Sequence, residues 1–282
     1  MTLPYGLPAS AAFVAATCCL ALVWRAALVL LDVRAIRRTY PLAGAYRIGR
    51  GWTGPDLLTA QRRRALAGSV AAAALLPAVV LPSPRWTAVL ALLGCFAAGA
   101  CILRDRSPRY TEVCLLVVLA ALAIRHAGVL ASGRPPTALV GAFASFFAAQ
   151  MYLVAGIRKL RSPHFMSGGV LLDNIAYNAW QASAGSRDFL PVPSLPRLAV
   201  LLDAPVFRTT CHAAAVATAT VEITLGLGAA GLLPAAVTLL LAVPTHLAFT
   251  AISPRRIVPF SAAALGLLLL ALPHPLLAAW RW

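Results

Sequence analysis

Among the 24 basic residues of this chain, one is a lysine. Lys159 closes the run Tyr152-Leu-Val-Ala-Gly-Ile-Arg-Lys159-Leu160, where a long apolar stretch meets a polar one. Everywhere else, positive charge is carried by arginine. A guanidinium stays protonated in essentially any protein environment, whereas a desolvated amine can release its proton. Lys159 is therefore a candidate general base, set against the plainer reading of a snorkelling charge that ends a helix. Other ionisable groups lie at membrane depth, where each charge costs at least ~2.5 kcal/mol on insertion scales. These are Arg25, Arg125 and Glu222, with His126, His212 and His246 beside them or on neighbouring spans. One expectation is an interhelical ion pair between Glu222 and one of the two arginines. The other is a polar cavity in which Glu222, an arginine and His246 face a bound molecule.

A second polar concentration follows Lys159. From Gly168 to Gln181 the chain places Asn174, Asn178 and Gln181 at helical spacing, with Asp173, Tyr177 and Trp180 alongside. Such a two-sided helix with aromatic residues lies flat among lipid headgroups, or re-enters the membrane with its amides lining a cavity. Pro196 to Phe207 is a further short amphipathic piece. No Walker loop, no Gly-x-Ser-x-Gly and no His-Glu-x-x-His occurs. Aspartate pairs that would hold magnesium on a diphosphate are also missing; isolated carboxylates such as Asp105 more often cap helices or neutralise adjacent arginines.

The elements that must position these groups follow from composition. With 61% apolar and 11% charged residues, the chain is not a soluble domain. Apolar stretches of ~20 residues, each able to cross ~30 Å of hydrocarbon as a helix, recur along it. They predict an all-α polytopic membrane bundle of about eight crossings, at roughly 9–32, 64–81, 86–103, 112–132, 137–157, 209–231, 234–252 and 257–273, plus interfacial amphipathic helices. The first lacks a basic leading region and contains Arg25, so a retained span is expected rather than a signal peptide. The tight turn Pro82-Ser83-Pro84, the Leu233-Pro234 break and Ser253-Pro254-Arg255-Arg256 separate neighbouring spans.

With the N-terminus outside, the internal loops collect nearly all loop arginines and Lys159, leaving Arg85, Arg134 and Arg281 outside. This asymmetry accounts for the net charge of +16 through an anionic inner leaflet, without nucleic acid. The six cysteines, Cys18, Cys19, Cys95, Cys101, Cys114 and Cys211, lie in or at the edge of apolar spans, so neither disulfide nor metal site is expected.

Tyr152-Leu-Val-Ala-Gly-Ile-Arg-Lys159-Leu160, followed by Phe165-Met-Ser-Gly168, resembles the signature of the HTTM family, the membrane domain shared with vitamin K-dependent gamma-carboxylases. Glu222 in Val-Glu-Ile-Thr-Leu-Gly and His246 in Pro-Thr-His-Leu-Ala-Phe are similar to that family's helix glutamate and later span histidine. The likeness covers about residues 100–270 of a single domain, 1–282. It implies that Lys159 is the base that deprotonates a reduced quinone, which then reacts with oxygen. Carboxylation of a peptide glutamate is not expected, because no large extramembrane domain accompanies the spans. The orientation also places Lys159 on the cytoplasmic side, whereas carboxylases act from the lumenal side. Ala155-Gly156-x-x-Lys159-Leu160, Arg161-Ser-Pro163-x-Phe165 and Glu222-x-x-Leu225-Gly226 also resemble the DoxX and MauE membrane proteins, shorter units linked to redox or maturation roles.

Three functions follow as expectations for a multi-pass cell-membrane protein. The first is an enzyme acting on a lipid-soluble quinol or isoprenoid. In it Lys159 is the base, Glu222 and His246 are catalytic partners, and Arg125, Tyr152, Asp173, Asn174 and Asn178 are substrate contacts. A membrane terpene cyclase is its variant, with the Asp173, Asn174, Asn178 stripe stabilising diphosphate or carbocation charge. The second is a non-catalytic factor for peptide or redox-protein maturation, or for immunity, with Lys159 as an anchor. A transporter ranks last, since no internal repeat and no relay of intramembrane charges is evident.

Overall fold

A computed structural model describes residues 9–39, 57–76, 84–103, 110–183, 194–252 and 257–272. Among them every regular element is a helix. In chain order these are α1 (Ala9–Thr39), α2 (Leu57–Leu75), α3 (Pro84–Leu103), α4 (Tyr110–Ser132), α5 (Thr137–Leu160) and α6 (Pro163–Met166). They are followed by α7 (Gly169–Ser183), α8 (Leu195–Asp203), α9 (Pro205–Ala230), α10 (Ala235–Ile252) and α11 (Val258–Ala271). Alanine and leucine, both strong helix formers, dominate the long helices.

Among the described residues, four stretches are long and apolar enough to cross a membrane: Ala12–Leu31, Thr111–Ser132, Thr137–Leu160 and Pro205–Ala230. Arg85–Gly99, Ala235–Thr250 and Val258–Ala271 are shorter apolar helices. In α2 the apolar run starts only after Arg62, Arg63 and Arg64. By length and composition this is a membrane protein. Leu20, Phe96 and Leu240 are 70–74% exposed, the expected state of side chains that meet lipid. Pro82-Ser83, ahead of α3, and Ser253-Pro254-Arg255-Arg256 lie outside the described residues.

The chain divides into two compact units, residues 1–140 with 262–270 and residues 141–261 with 271–282. In the first, α1 to α4 pack each against the next, and α4 returns to α1. Ala71, Ala88, Ala91 and Ala98 are fully buried, so small side chains bring the helices close together. Leu75, Leu115, Leu119 and Leu122 fill what remains. Polar groups are buried here too. Arg25 of α1 donates to Glu112 of α4 at 3.2 Å, and Arg64 of α2 lies 3.6 Å from the same carboxylate oxygen. Cys18, Cys19, Cys95 and Cys114 are buried cysteines of this unit.

The second unit is built around α9. This helix packs on α10 and on the short helices α6, α7 and α8, and it bonds to α5 through Ser145, whose hydroxyl donates 2.7 Å to the Ala229 carbonyl. Gly231, at φ 96°, ends α9: its N–H reaches Gly228 and Leu227 carbonyls, and Leu232 N–H returns to Leu227. That closure needs a left-handed residue, which glycine adopts without steric cost. Between α5 and α9 the chain makes a tight connection. Ser162 caps α6 by accepting from Phe165 N–H at 3.2 Å, with Pro163 in the first turn. Gly168, at φ +83°, follows, and a Cβ there would stand 2.6–3.0 Å from the backbone of Cys211 and His212. Its missing side chain lets this turn press directly onto α9.

Candidate functional site

Two glycines bring α5 and α9 together where the lysine and the glutamate lie. A Cβ on Gly156 would stand 2.7 Å from Ile223 Cγ1 and 3.1 Å from the Ala219 carbonyl. One on Gly226 would stand 2.6 Å from Leu153 Cγ. Lys159 follows Gly156 by three residues and Glu222 precedes Gly226 by four, so each sits one helical turn from a close crossing point. Across this contact the Lys159 amine donates to Glu222 Oε1. The Glu222 side chain is 5% exposed and that of Lys159 26%, so the pair is held at the edge of the protein interior.

Aromatic rings wall the pair. Lys159 Nζ lies 5.5 Å from the centre of the Phe165 ring and 5.9 Å from that of Phe249, within range of cation–π attraction. Phe165 is fixed by the Ser162 cap, and Met166 beside it accepts a 2.6 Å bond from His212 Nδ1 of α9. Phe249 of α10 also meets His246, with ring centres 5.8 Å apart and nearly perpendicular planes. His246 is 2% exposed, packs against Phe260 and shares a 2.6 Å hydrogen bond between its Nε2 and the Tyr152 hydroxyl of α5. Phe249 therefore joins two polar pairs, Lys159–Glu222 and Tyr152–His246.

Each pair keeps one buried polar atom without a hydrogen-bond partner: Glu222 Oε2 and His246 Nδ1. Such atoms are rare in folded proteins because the lost hydration costs ~1–3 kcal/mol apiece. An acceptor and a ring nitrogen beside these edge-on and tilted rings are suited to a flat molecule that both donates and accepts hydrogen bonds. On α10, Pro244 cannot donate to the Leu240 carbonyl, which breaks the helix ladder two residues before His246.

Of the sequence-derived candidates, Tyr152, Lys159, Glu222 and His246 come together here. The expected Glu222–arginine pair is corrected: Lys159 holds Glu222, and Arg25 bonds to Glu112. Arg125 belongs to α4 in the first unit, where it is 4% exposed with His126 beside it. Asp173, Asn174 and Asn178 lie on α7. Asp173 Oδ2 is 2.8 Å from His164 Nε2, with both side chains exposed. It lines a concavity of about 350 Å3 with Asp203 and Arg208. Asn174 is exposed and Asn178 half-buried. Among the described residues no group of three histidine, cysteine or acidic side chains could hold a metal ion.

Three groups were given no role by the sequence reading. Glu112 opens α4 as a buried carboxylate between two arginines, at a position that sequence places on the polar rim of a span. Phe165 and Phe249 stand in the quoted motifs but received no role there; their apolar type fits any span, and their place beside Lys159 and His246 appears only after folding.

Comparison with protein-family models, with curated proteins and with solved structures returned no match.

Proposed function

We propose that the second unit is a membrane-embedded enzyme site that removes a proton from a lipid-soluble substrate, a quinol in first place and an isoprenoid in second. The observation that carries this reading is the Lys159–Glu222 pair in an aromatic enclosure, with Glu222 Oε2 and His246 Nδ1 left for a ligand. The pair has zero net charge whether its proton rests on the amine or on the carboxyl. Passing it to Glu222 leaves a neutral amine without creating a buried net charge. The substrate O–H bond then breaks as an N–H bond forms on Lys159, and the resulting oxyanion faces an ammonium. Tyr152 and His246 orient the substrate, and Phe165 and Phe249 contact its ring. The HTTM-type signature around Lys159 supports the same assignment, and the proposal takes the chain to be a multi-pass protein of the cell membrane with eight crossings.

One observation favours a second reading. Lys159–Glu222 also ties α5 to α9, as an anchor in a non-catalytic membrane factor would. The variant Lys159→Arg separates the two. Arginine keeps the charge and can still pair with Glu222, but it cannot serve as a neutral base. With a reduced naphthoquinone as probe and purified protein in detergent, oxygen-dependent reoxidation is expected to fall by ~10²–10⁴-fold, the usual contribution of a general base. The variant should remain monodisperse and melt normally. Undiminished turnover in Lys159→Arg would establish the anchor reading instead.

A further inference from the structure

The first unit carries a different kind of site. A concavity of about 580 Å3 lies between the end of α1 and the start of α2, lined by Leu30, Leu31, Arg34, Arg37, Arg38 and Arg62 among others. Its volume is in the range of small-molecule sites. Arg34, Arg37 and Arg38 follow one another at helical spacing, so α1 presents them on one side, and Arg62 faces them from α2. All four are exposed, and among the described side chains none is within ion-pair range of a carboxylate. The negative end of the α1 dipole lies beneath the first three, which eases their mutual repulsion without satisfying their donors. Immediately towards the membrane, Leu30 and Leu31 are 50% and 59% exposed. The apolar crossing stretch of α1 ends at Leu31, so the arginines begin within one turn of the hydrocarbon boundary.

Guanidiniums with no carboxylate partner among the described side chains, directly above exposed leucines, have the chemistry of a phospholipid site: forks for phosphate oxygens, then a greasy wall for acyl chains. The number of forks narrows the ligand. One phosphodiester, taken bidentately by two arginines, leaves two like charges facing each other in the same cleft. Two phosphodiesters on one head use all four. We propose that this cleft binds an anionic phospholipid of the bilayer with two phosphates in its headgroup, of the diphosphatidylglycerol class. Its acyl chains run along Leu30 and Leu31. The site lies in a unit separate from Lys159 and is independent of the function proposed above.

The test uses the full chain reconstituted into phosphatidylcholine nanodiscs doped with either diphosphatidylglycerol or phosphatidylglycerol at equal total charge. Native mass spectrometry then counts the lipids that remain on the ejected protein. The two-phosphate lipid should be retained at least ~10-fold more strongly than the one-phosphate lipid, a modest difference in binding free energy. The triple variant Arg34→Gln, Arg38→Gln, Arg62→Gln should bind it about a hundredfold more weakly, the scale expected for three basic side chains at a membrane surface. Arg134→Gln, in the turn between α4 and α5, should change nothing. A second triple variant, Arg→Lys at the same three positions, keeps the charge and guards against misfolding; it should retain anionic lipid but lose the preference for two phosphates. Equal retention of both lipids, unaltered retention by the glutamine variant, or displacement by inorganic diphosphate would each overturn the proposal.

Discussion

A lysine paired with a glutamate inside a membrane protein can be a device for proton transfer or a clasp between helices, and energetics and chemistry part company here. Breaking a fully buried pair by removing one partner typically costs ~3–5 kcal/mol, because the remaining charge is left uncompensated. Lys159 keeps 26% of its side chain exposed, so its amine can recover some hydration. Glu222→Gln is therefore expected to cost less, about 1–3 kcal/mol, visible as a lowered melting temperature in detergent. Removing both charges with Lys159→Met and Glu222→Leu should return stability to within ~1 kcal/mol of the parent, since an apolar pair of similar volume often replaces a buried ion pair without loss. Reoxidation of the reduced naphthoquinone should stay abolished in that double variant. Recovered turnover alongside recovered stability would show that the pair contributes structure alone. The sequence made Lys159 conspicuous because arginine replaced lysine everywhere else. It did not reveal the partner, since Glu222 lies 63 positions away and three cations at membrane depth were available to it. Asp173, Asn174 and Asn178 drew notice as a polar stripe, yet a stripe shows only that a helix has two faces, not what either face meets.

At the scale of elements, the site depends on how closely α5 and α9 approach. Gly156→Ala places a methyl group 2.7 Å from Ile223 Cγ1 and 3.1 Å from the backbone of α9. The isoleucine branch can swing aside, but the Ala219 carbonyl and Ile223 N–H are part of a helix and cannot. A destabilisation of ~1–3 kcal/mol is expected, typical of overpacking in a close-packed interior. Because Lys159 is one turn further on, spreading the helices should also lengthen the Lys159–Glu222 bond and lower turnover in the same variant. A melting temperature equal to that of the parent would show that the crossing has slack. Helix positions were largely legible beforehand: apolar runs and the Pro and Gly breaks placed α4, α5, α9, α10 and α11 within a few residues. The short helices α6 and α8 were less so. Each depends on a Ser cap and a Pro in the first turn, local signals that fix a start but not which neighbour receives the helix. Glu112 shows a related limit. After Arg104, Arg106 and Arg109 it resembles one more charge of a solvated rim, and its contact with Arg25 spans 87 positions.

For the molecule as a whole, the open quantity is the number of crossings, and charge makes it testable. Among the described residues four helices are long and apolar enough to span unaided, α1, α4, α5 and α9, while α2 and α3 lie between the first two and α10 and α11 follow the last. Helices added in pairs do not change the side on which later loops emerge. The turn at Arg134 is thus outside and the Lys159 end of α5 inside in both the four- and eight-crossing arrangements, provided that the arginine-rich segments face the cytoplasm. Only the turns within each pair discriminate. If α2 and α3 cross, Ser83 emerges outside; if they stay on the inner side, it does not. Labelling with a membrane-impermeant maleimide on intact cells, in a Cys101→Ser background, is the direct measurement, and Cys18, Cys19, Cys95, Cys114 and Cys211 are buried and so slow to react. Arg134→Cys should label before lysis, and Arg208→Cys only after it. Ser83→Cys should label before lysis, as the eight-crossing arrangement requires of α2 and α3; labelling only after lysis would reduce it to at most six. An inverted pattern at Arg134 and Arg208 would reverse the whole bundle. It would also turn the Lys159 site and the Arg34–Arg38 cleft to the outer face, away from the inner leaflet that the arginine asymmetry selects.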